Sequence, residues 1–204
     1  MTGTDYTSVD LVKQAERSDP AITAGADALA TYVTRASRFL DRYCTHQPDA
    51  VDYFIKADVS GEILTHAQLH KGELWIWPHK AVINSFASFA YRTDVTMPFV
   101  LVPSQYCVID GRKVRVMGGQ VDMWRHQFVQ VQISYNGGLG TTLDDLPDDF
   151  VECATIMAIR MFKEAAGGLG DAIGVEALGT VVYTKAIPVR VAQSIQPFVR
   201  VVPW

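Results

Sequence analysis

The chain has 204 residues, of which 49% are hydrophobic and 20% are charged, a composition typical of a globular protein with a substantial core. Its net charge of −4 and its pI near 5.7 argue against a protein that holds nucleic acid through a large basic surface. No apolar run is long enough to span a membrane, and the N-terminus lacks the pattern of a signal peptide. The cysteines, Cys44, Cys107 and Cys153, show no metal-binding spacing, which favours reduced thiols in a cytoplasmic setting.

Two helices are predicted in the first 50 residues. Tyr6, Val9, Leu11 and Val12 predict a short helix or an arm. A long helix is predicted from Pro20 or Thr23 to about Tyr43, because its apolar positions recur at spacings of four and three. These positions are Leu29, Val33, Ala36, Leu40 and Tyr43.

The charged side chains of the long helix lie largely off this apolar stripe. They are Arg35, Arg38, Asp41 and Arg42. A solvated helix face is the favoured interpretation. The alternative is a contact between subunits through Arg35, Arg38 and Arg42.

Between residues 51 and 135 the apolar period changes to two, which predicts an antiparallel β insertion within the helical part. The predicted strands are 52–57, 73–77, 81–92, 105–110, 113–117 and 127–135. Asp110-Gly111 predicts a two-residue hairpin turn. Trp75 and Trp77 alternate with apolar neighbours, so this strand is apolar on both faces, and a core position is favoured over cover by a partner.

The stretch 127–166 combines a strand, a glycine-rich turn and a helix. Asp145 is the predicted N-cap, and Pro147 suits the first turn because a proline there sacrifices no hydrogen bond. The apolar stripe of the helix is Phe150, Cys153, Ala154, Met157, Ala158, Met161, Phe162 and Ala165. Its start is acidic, at Asp144, Asp145, Asp148, Asp149 and Glu152. Stabilisation by the helix dipole explains these acids better than a cation site does.

The C-terminal part begins with a glycine-rich connection at 167–179. A last helix is predicted from Ile187-Pro188 to just before Pro197, with Val189, Ala192 and Ile195 on its apolar side. The remaining residues, 198–204, form a short apolar tail with a high β-strand propensity. Because chain ends are seldom covered by their own domain, this tail is predicted to need another surface.

The sequence matches the known patterns of enzyme and cofactor sites only weakly. Gly137-Gly138-Leu139-Gly140 follows a strand but lacks the third glycine of a dinucleotide site. His66 and His70, with Glu62 or Glu73, allow a metal site on paper, but solvent-exposed histidines are the favoured interpretation. The sequence therefore predicts neither an enzyme nor a cofactor.

Several stretches together resemble one family. They are the strand end V-x-I-x-Y-x-G-G at 131–138, the Leu-Pro-Asp-Asp helix start, the segment DALATYVTRASRFLDRYC from Asp27, the segment GELWIWPHKAVINSFASFAYR, and a proline-started last helix followed by an aromatic residue and an arginine. In this order they resemble the head-to-tail connector (adaptor, head completion) proteins of tailed bacteriophages and phage-like particles.

The resemblance implies an α+β fold in which 1–204 form a single connector domain. Its helical platform would consist of a long N-terminal helix, a central helix after a strand and a short C-terminal helix, with an antiparallel β insertion at 51–135. The implied function is structural: a homo-oligomeric ring of about twelve copies between portal and tail, with heterologous contacts. The ring would extend the DNA channel without sequence-specific binding and carry the tail or stopper protein. The implied location is the virion neck, after synthesis in the host cytoplasm, with no membrane involved.

The resemblance also implies that the C-terminal end contacts the portal protein. The portal-docking tail would then be Phe198, Val199, Arg200, Val201, Val202 and Trp204. The alternative function is a small cytoplasmic ligand-binding protein or enzyme with a pocket under the β insertion. A third possibility is another virion protein, such as a tail-completion subunit.

Overall fold

The computed structural model describes residues 4–17, 26–65, 67–70, 73–117, 130–166 and 187–199. Contacts divide the chain into two compact units. The helical unit comprises Met1–Asp52 and Thr142–Val199, and the β unit comprises Tyr53–Thr141. Helices and two antiparallel sheets are both present, so the predicted α+β class is confirmed.

The described part of the helical unit contains four α-helices. They are α1 (Val9–Ala15), α2 (Ala26–Thr45), α3 (Asp148–Ala166) and α4 (Val189–Ile195). α1 begins at Ser8, whose hydroxyl accepts a hydrogen bond from the Leu11 N–H at 3.2 Å. α3 packs against the other three helices, which makes it the centre of this unit.

The apolar stripes of α2 and α3 form the helical core largely as predicted. Its fully or nearly buried members include Leu29, Val33, Ala36, Leu40, Phe150, Cys153, Ala154, Met157, Ala158 and Phe162. α4 differs from its prediction, because it buries Val191 and Ile195 while Val189 is 53% exposed. The reason is the register of this short helix: positions four apart share one face, and Val189 falls outside that face.

The start of α3 also differs from its prediction. Asp145 does not cap α3 but closes a capping box with Thr142 around a 3₁₀ turn at Leu143–Asp145. Leu146 then adopts an extended conformation, as expected for a residue that precedes a proline. The Pro147 carbonyl accepts the Phe150 N–H at 2.9 Å, and α3 begins at Asp148.

The β unit contains two four-stranded antiparallel sheets. The strands are β1 (Ala57–Leu64), β2 (Ala67–His70), β3 (Glu73–Ile76), β4 (Ile83–Arg92), β5 (Val100–Val102), β6 (Cys107–Asp110), β7 (Lys113–Val116) and β8 (Gln130–Gly137). The first sheet has the order β1-β8-β4-β5, and the second has the order β2-β3-β7-β6.

One apolar cluster forms the core between the two sheets. The first sheet contributes Leu64, Ile83, Phe89, Val102, Val131, Ile133 and Tyr135, and the second contributes Leu74, Ile76, Val114 and Val116. Trp75 and Trp77 lie on the other side of their strand and are half-buried, so the favoured core position for them was wrong. The strand alternates, and Leu74 and Ile76 occupy the buried face.

Two features of the β unit were predicted incorrectly. Residues 52–57 are not a strand, because Asp52 has a φ of 57° and Tyr53 and Phe54 form a turn. The hairpin between β6 and β7 turns at Gly111 and Arg112 rather than at Asp110 and Gly111. Gly111 supplies the positive φ of 62° that the first position of such a turn requires.

Close packing of the backbone explains why glycines occupy positions 137 and 138 at the end of β8. Gly138 has a φ of 118°, and its N–H donates to the Val82 carbonyl at 2.8 Å. A Cβ at this position would lie 2.5 Å from the Ile55 backbone. A glycine is therefore required where two backbone segments come into contact.

We expect Gly138→Ala to lower the free energy of unfolding by about 3 kcal/mol or more, because it combines backbone strain with overlap against Ile55. Gly111→Ala is the matched control. Its positive φ carries a similar type of strain, but no atom lies within 4 Å of the new Cβ, so a loss of about 1 kcal/mol is expected. Urea denaturation of both variants measures the difference. Equal losses would show that the contact with Ile55 contributes nothing.

Candidate functional site

The most deeply buried charge in the described residues is Asp41 on α2, whose side chain is completely inaccessible to solvent. The Tyr6 hydroxyl donates to its Oδ1 atom. Its Oδ2 atom accepts from Arg38 Nη1 at 2.8 Å and from the Asp52 N–H at 3.1 Å. One carboxylate therefore connects the N-terminal segment, α2 and the residue that ends the first part of the helical unit.

Arg38 belongs to this network and is not on a solvated face. Its side chain is only 11% exposed, and it also donates to the Thr4 carbonyl. The favoured interpretation of these charges was therefore wrong for Arg38 and Asp41. Arg35 and Arg42 do lie exposed, with the Arg35 guanidinium 5.4 Å from the centre of the Tyr32 ring. The missed sequence signal is a polar stripe at spacings of four: Ser37, Asp41 and Thr45, all buried.

The predicted docking tail is only partly within the described residues. The Phe198 ring packs edge-on against the Phe150 ring in the helical unit, with centroids 6.1 Å apart. The Val199 N–H donates to the Gln196 carbonyl at 3.2 Å. Arg200, Val201, Val202 and Trp204 lie outside the described residues.

The β unit contains a cleft of about 180 Å³ with basic and aromatic walls. Its lining residues are Tyr53, Trp77, Pro78, Lys80, Asp110, Arg112 and Lys113. Lys80 Nζ donates to the Ile55 carbonyl at 2.9 Å. Lys113 Nζ lies 3.3 Å from Asp110 and 3.8 Å from the centre of the Trp75 ring. These contacts fix the positions of two of the three cationic side chains.

Charge is distributed unevenly along the chain. Segment 53–141 has eight Lys and Arg against six Asp and Glu, a net charge of +2, so the rest of the chain must carry −6 to give the total of −4. The most acidic exposed stretch lies at the start of α3, where Asp144, Asp148 and Asp149 are all exposed. Segment 53–141 and the rest of the chain therefore carry net charges of opposite sign.

The β unit also exposes large apolar side chains around the connection from β4 to β5. Val95 and Met97 are each 58% exposed and Leu101 is 70% exposed. The loop is nevertheless held in shape, because Asp94 accepts hydrogen bonds from the backbone and hydroxyl of Thr96, which lower the pKa of its carboxyl. An ordered apolar surface of this kind is typical of proteins that contact partners.

The candidate metal ligands from the sequence have other contacts. Glu62 accepts the His79 backbone N–H at 3.1 Å, and Glu73 accepts the Trp75 ring N–H at 3.1 Å. His66 lies outside the described residues, and His70 is in β2. Within the ranges that the structure describes, no group of His, Cys, Asp and Glu is arranged to hold a metal ion. No helix found there is long and apolar enough to cross a membrane.

Two of the described thiols, those of Cys107 and Cys153, are not poised for nucleophilic chemistry. Burial raises the pKa of Cys107 to about 11. Burial also raises the pKa of Cys153, which lies on the buried face of α3. Because the thiolate is the reactive form, both side chains stay protonated near neutral pH.

Two solved structures have a similar fold over nearly the whole chain. A chain from the neck of a native gene transfer agent (GTA) particle, computed with C12 symmetry, is 15% identical, with a TM-score of 0.52 over 98% of this chain and 96% of its own length. A chain from the neck of an empty GTA particle, computed with C6 symmetry, is also 15% identical, with a TM-score of 0.50 over 95% and 89%. At this identity the similarity concerns the fold. No protein-family model and no curated protein sequence matches the chain.

We expect Asp41→Asn to destabilise the helical unit by about 3 kcal/mol, because it removes the nearest and only fully buried counter-charge of the Arg38 guanidinium and leaves the more distant, partly exposed carboxylates of Asp5 and Asp52. Arg35→Ala is the control, since it removes an exposed arginine of the same helix and should cost less than about 0.5 kcal/mol. Thermal and urea unfolding measure both. An Asp41→Asn variant as stable as the control would mean that the network does not hold the unit together.

We expect Cys107 to react with iodoacetamide about 100-fold more slowly in the folded protein than in urea at pH 8, since its pKa is about 11 instead of 9.0. The rate should rise about tenfold per pH unit until the pH approaches that pKa. A variant with Cys44→Ala and Cys153→Ala isolates this thiol for mass spectrometry. A rate that levels off near pH 9 in the folded state would contradict the assignment.

Proposed function

We propose that the chain is a structural, non-enzymatic subunit of the neck ring between the capsid and the tail of a phage-like particle. The observation that carries this proposal is the similarity in fold to two neck chains across almost the full length of both partners. The order of the connector-like stretches in the sequence supports it independently. The subunit would reside in the virion after synthesis in the host cytoplasm.

In this proposal about twelve copies form a closed ring, in keeping with the C12 and C6 symmetries of the two similar neck structures. Neighbouring subunits in a cyclic ring make heterologous contacts, so each copy uses two different surfaces. Arg35 and Arg42 are the exposed candidates for such contacts on α2. Arg38 acts from within the subunit, where it fixes the N-terminal segment.

The ring extends the DNA channel without reading its sequence. A protein with a net charge of −4 supplies few phosphate contacts, and weak phosphate binding lets DNA slide. The exposed apolar side chains Val95, Met97 and Leu101 suit a surface that another neck, tail or stopper protein covers.

Docking to the portal is assigned to the C-terminal tail, 198–204. The packing of Phe198 against Phe150 anchors the beginning of the tail to the helical unit. Attachment therefore falls chiefly to Val199, Arg200, Val201, Val202 and Trp204. Many tails bind one portal at once, so a weak contact per subunit yields stable attachment through multivalency.

We expect purified chains mixed with the portal protein of the same particle to form a discrete ring, visible by electron microscopy and countable by mass photometry. Deletion of residues 200–204 should abolish attachment and leave the melting temperature within about 2 °C, because it spares the contact between Phe198 and Phe150.

The matched control is Phe198→Ala in the full-length chain, which keeps the tail but removes its anchor. It should weaken attachment and also lower stability by about 1 kcal/mol or more, since it removes an aromatic pair. Failure of wild-type chains to associate with the portal over a wide concentration range would contradict the neck function. Normal attachment of the deletion variant would instead show that the docking surface lies elsewhere on the subunit.

A further inference from the structure

We infer that the basic cleft of the β unit receives the acidic segment 144–149 of a neighbouring copy of this chain. The inference rests on the proposed function, because it takes the ring as its premise and names one contact between subunits. Both surfaces are present in every copy, as the heterologous interface of a cyclic ring requires.

The cleft offers positive charge in fixed positions. Lys80, Arg112 and Lys113 face a single acid, Asp110, so the lining residues carry a net charge of +2. Lys80 is held by the Ile55 carbonyl, Lys113 lies over the Trp75 ring, and Arg112 sits in the tight turn with Gly111. The charged ends of Lys80 and Lys113 are already held in place, so these two side chains lose little entropy when a partner binds.

The acidic segment is equally well ordered. The capping box between Thr142 and Asp145 fixes its first turn, and Leu146 anchors it as a buried residue with 4% exposure. Asp144, Asp148 and Asp149 are exposed on either side of this anchor. Pro147 is also exposed, which adds an apolar surface beside the carboxylates and suits the aromatic wall of the cleft.

Complementary charge favours the acidic segment 144–149 over the other surfaces of a second copy as the occupant of the cleft. The cleft lies in the segment of net charge +2, and the acidic segment lies in the part that carries −6. Complementary charge in a subunit contact favours the correct register and penalises like-charge pairs. DNA is a poorer occupant, because tight binding to its backbone needs many cations along the duplex and the lining of this cleft supplies only Lys80, Arg112 and Lys113.

Charge reversal and rescue test the contact on the portal-bound ring. The cleft variant is Arg112→Glu with Lys113→Glu, and the segment variant is Asp148→Lys with Asp149→Lys. Each alone should raise the concentration for half-maximal ring formation by about tenfold or more, whereas the combination should return it to within about threefold of wild type. Arg112→Glu alone replaces the double cleft variant if circular dichroism shows that the latter is unfolded.

Two controls each reverse a single charge, so each changes the net charge by half as much as a double variant, and Arg17→Glu changes it by the same amount as Arg112→Glu alone. Arg17→Glu and Asp10→Lys alter exposed residues in or beside α1, and Asp10 lies in the first turn of a helix just as Asp148 does. Both should form rings like wild type. Salt screens interactions between charges. Raising the salt concentration should therefore weaken ring formation by the wild-type chain more than either control substitution weakens it.

A cleft variant that forms rings at the wild-type concentration, or a combined variant no better than either parent, would overturn the contact while the neck function stands. A cleft variant that assembles normally but binds duplex DNA more weakly would also overturn it, and would make the cleft a DNA contact. Wild-type chains that form no ring on the portal would overturn the neck function and this contact together.

Discussion

A single buried carboxylate constrains the architecture of the helical unit. Asp41 has no access to water, and an unpaired charge in that position would be very costly, so its partners must occupy fixed places. Tyr6, Arg38 and the Asp52 backbone supply those partners. The N-terminal segment is thereby fixed against α2, and a hydrogen bond of 2.7 Å between Thr7 and Thr155 extends the same connection to α3. The apolar side chains of the helical unit pack around this polar network.

The β unit achieves order by different means. Its core is apolar and lies between two sheets, so its polar and charged side chains collect at turns and at the outer faces. The turn at Gly111 and Arg112 is an example, because its geometry both closes a hairpin and places a guanidinium at the cleft. A chain with a net charge of −4 thus brings three cationic side chains, Lys80, Arg112 and Lys113, together at one cleft.

Periodicity predicted the elements that bury a regular face. The stripes of α2 and α3 and the strands β3, β4, β7 and β8 all follow from spacing, since burial of one face imposes the period. The misplaced features depend on single local interactions: the capping box of Asp145, the position of the turn at Gly111, and the positive φ of Asp52. The β-unit cleft combines Tyr53, Trp77 and Arg112 from distant segments, so only the tertiary structure brings them together. The Asp41 network corresponds to a pattern in the sequence, the polar stripe Ser37, Asp41 and Thr45. A polar stripe on a helix is more often solvated, so this pattern alone does not predict burial.

The helical unit is built from two stretches of chain, Met1–Asp52 and Thr142–Val199, whereas the described part of the β unit comes from the single stretch Tyr53–Thr141. During synthesis the described strands of the β unit leave the ribosome before α3 does, because translation proceeds from the N-terminus. The sheets are therefore free to form while α2 still lacks the helix that buries its stripe. The order of translation therefore leaves the apolar face of α2 exposed until α3 follows, and molecular chaperones in the producing cell would encounter that nascent intermediate.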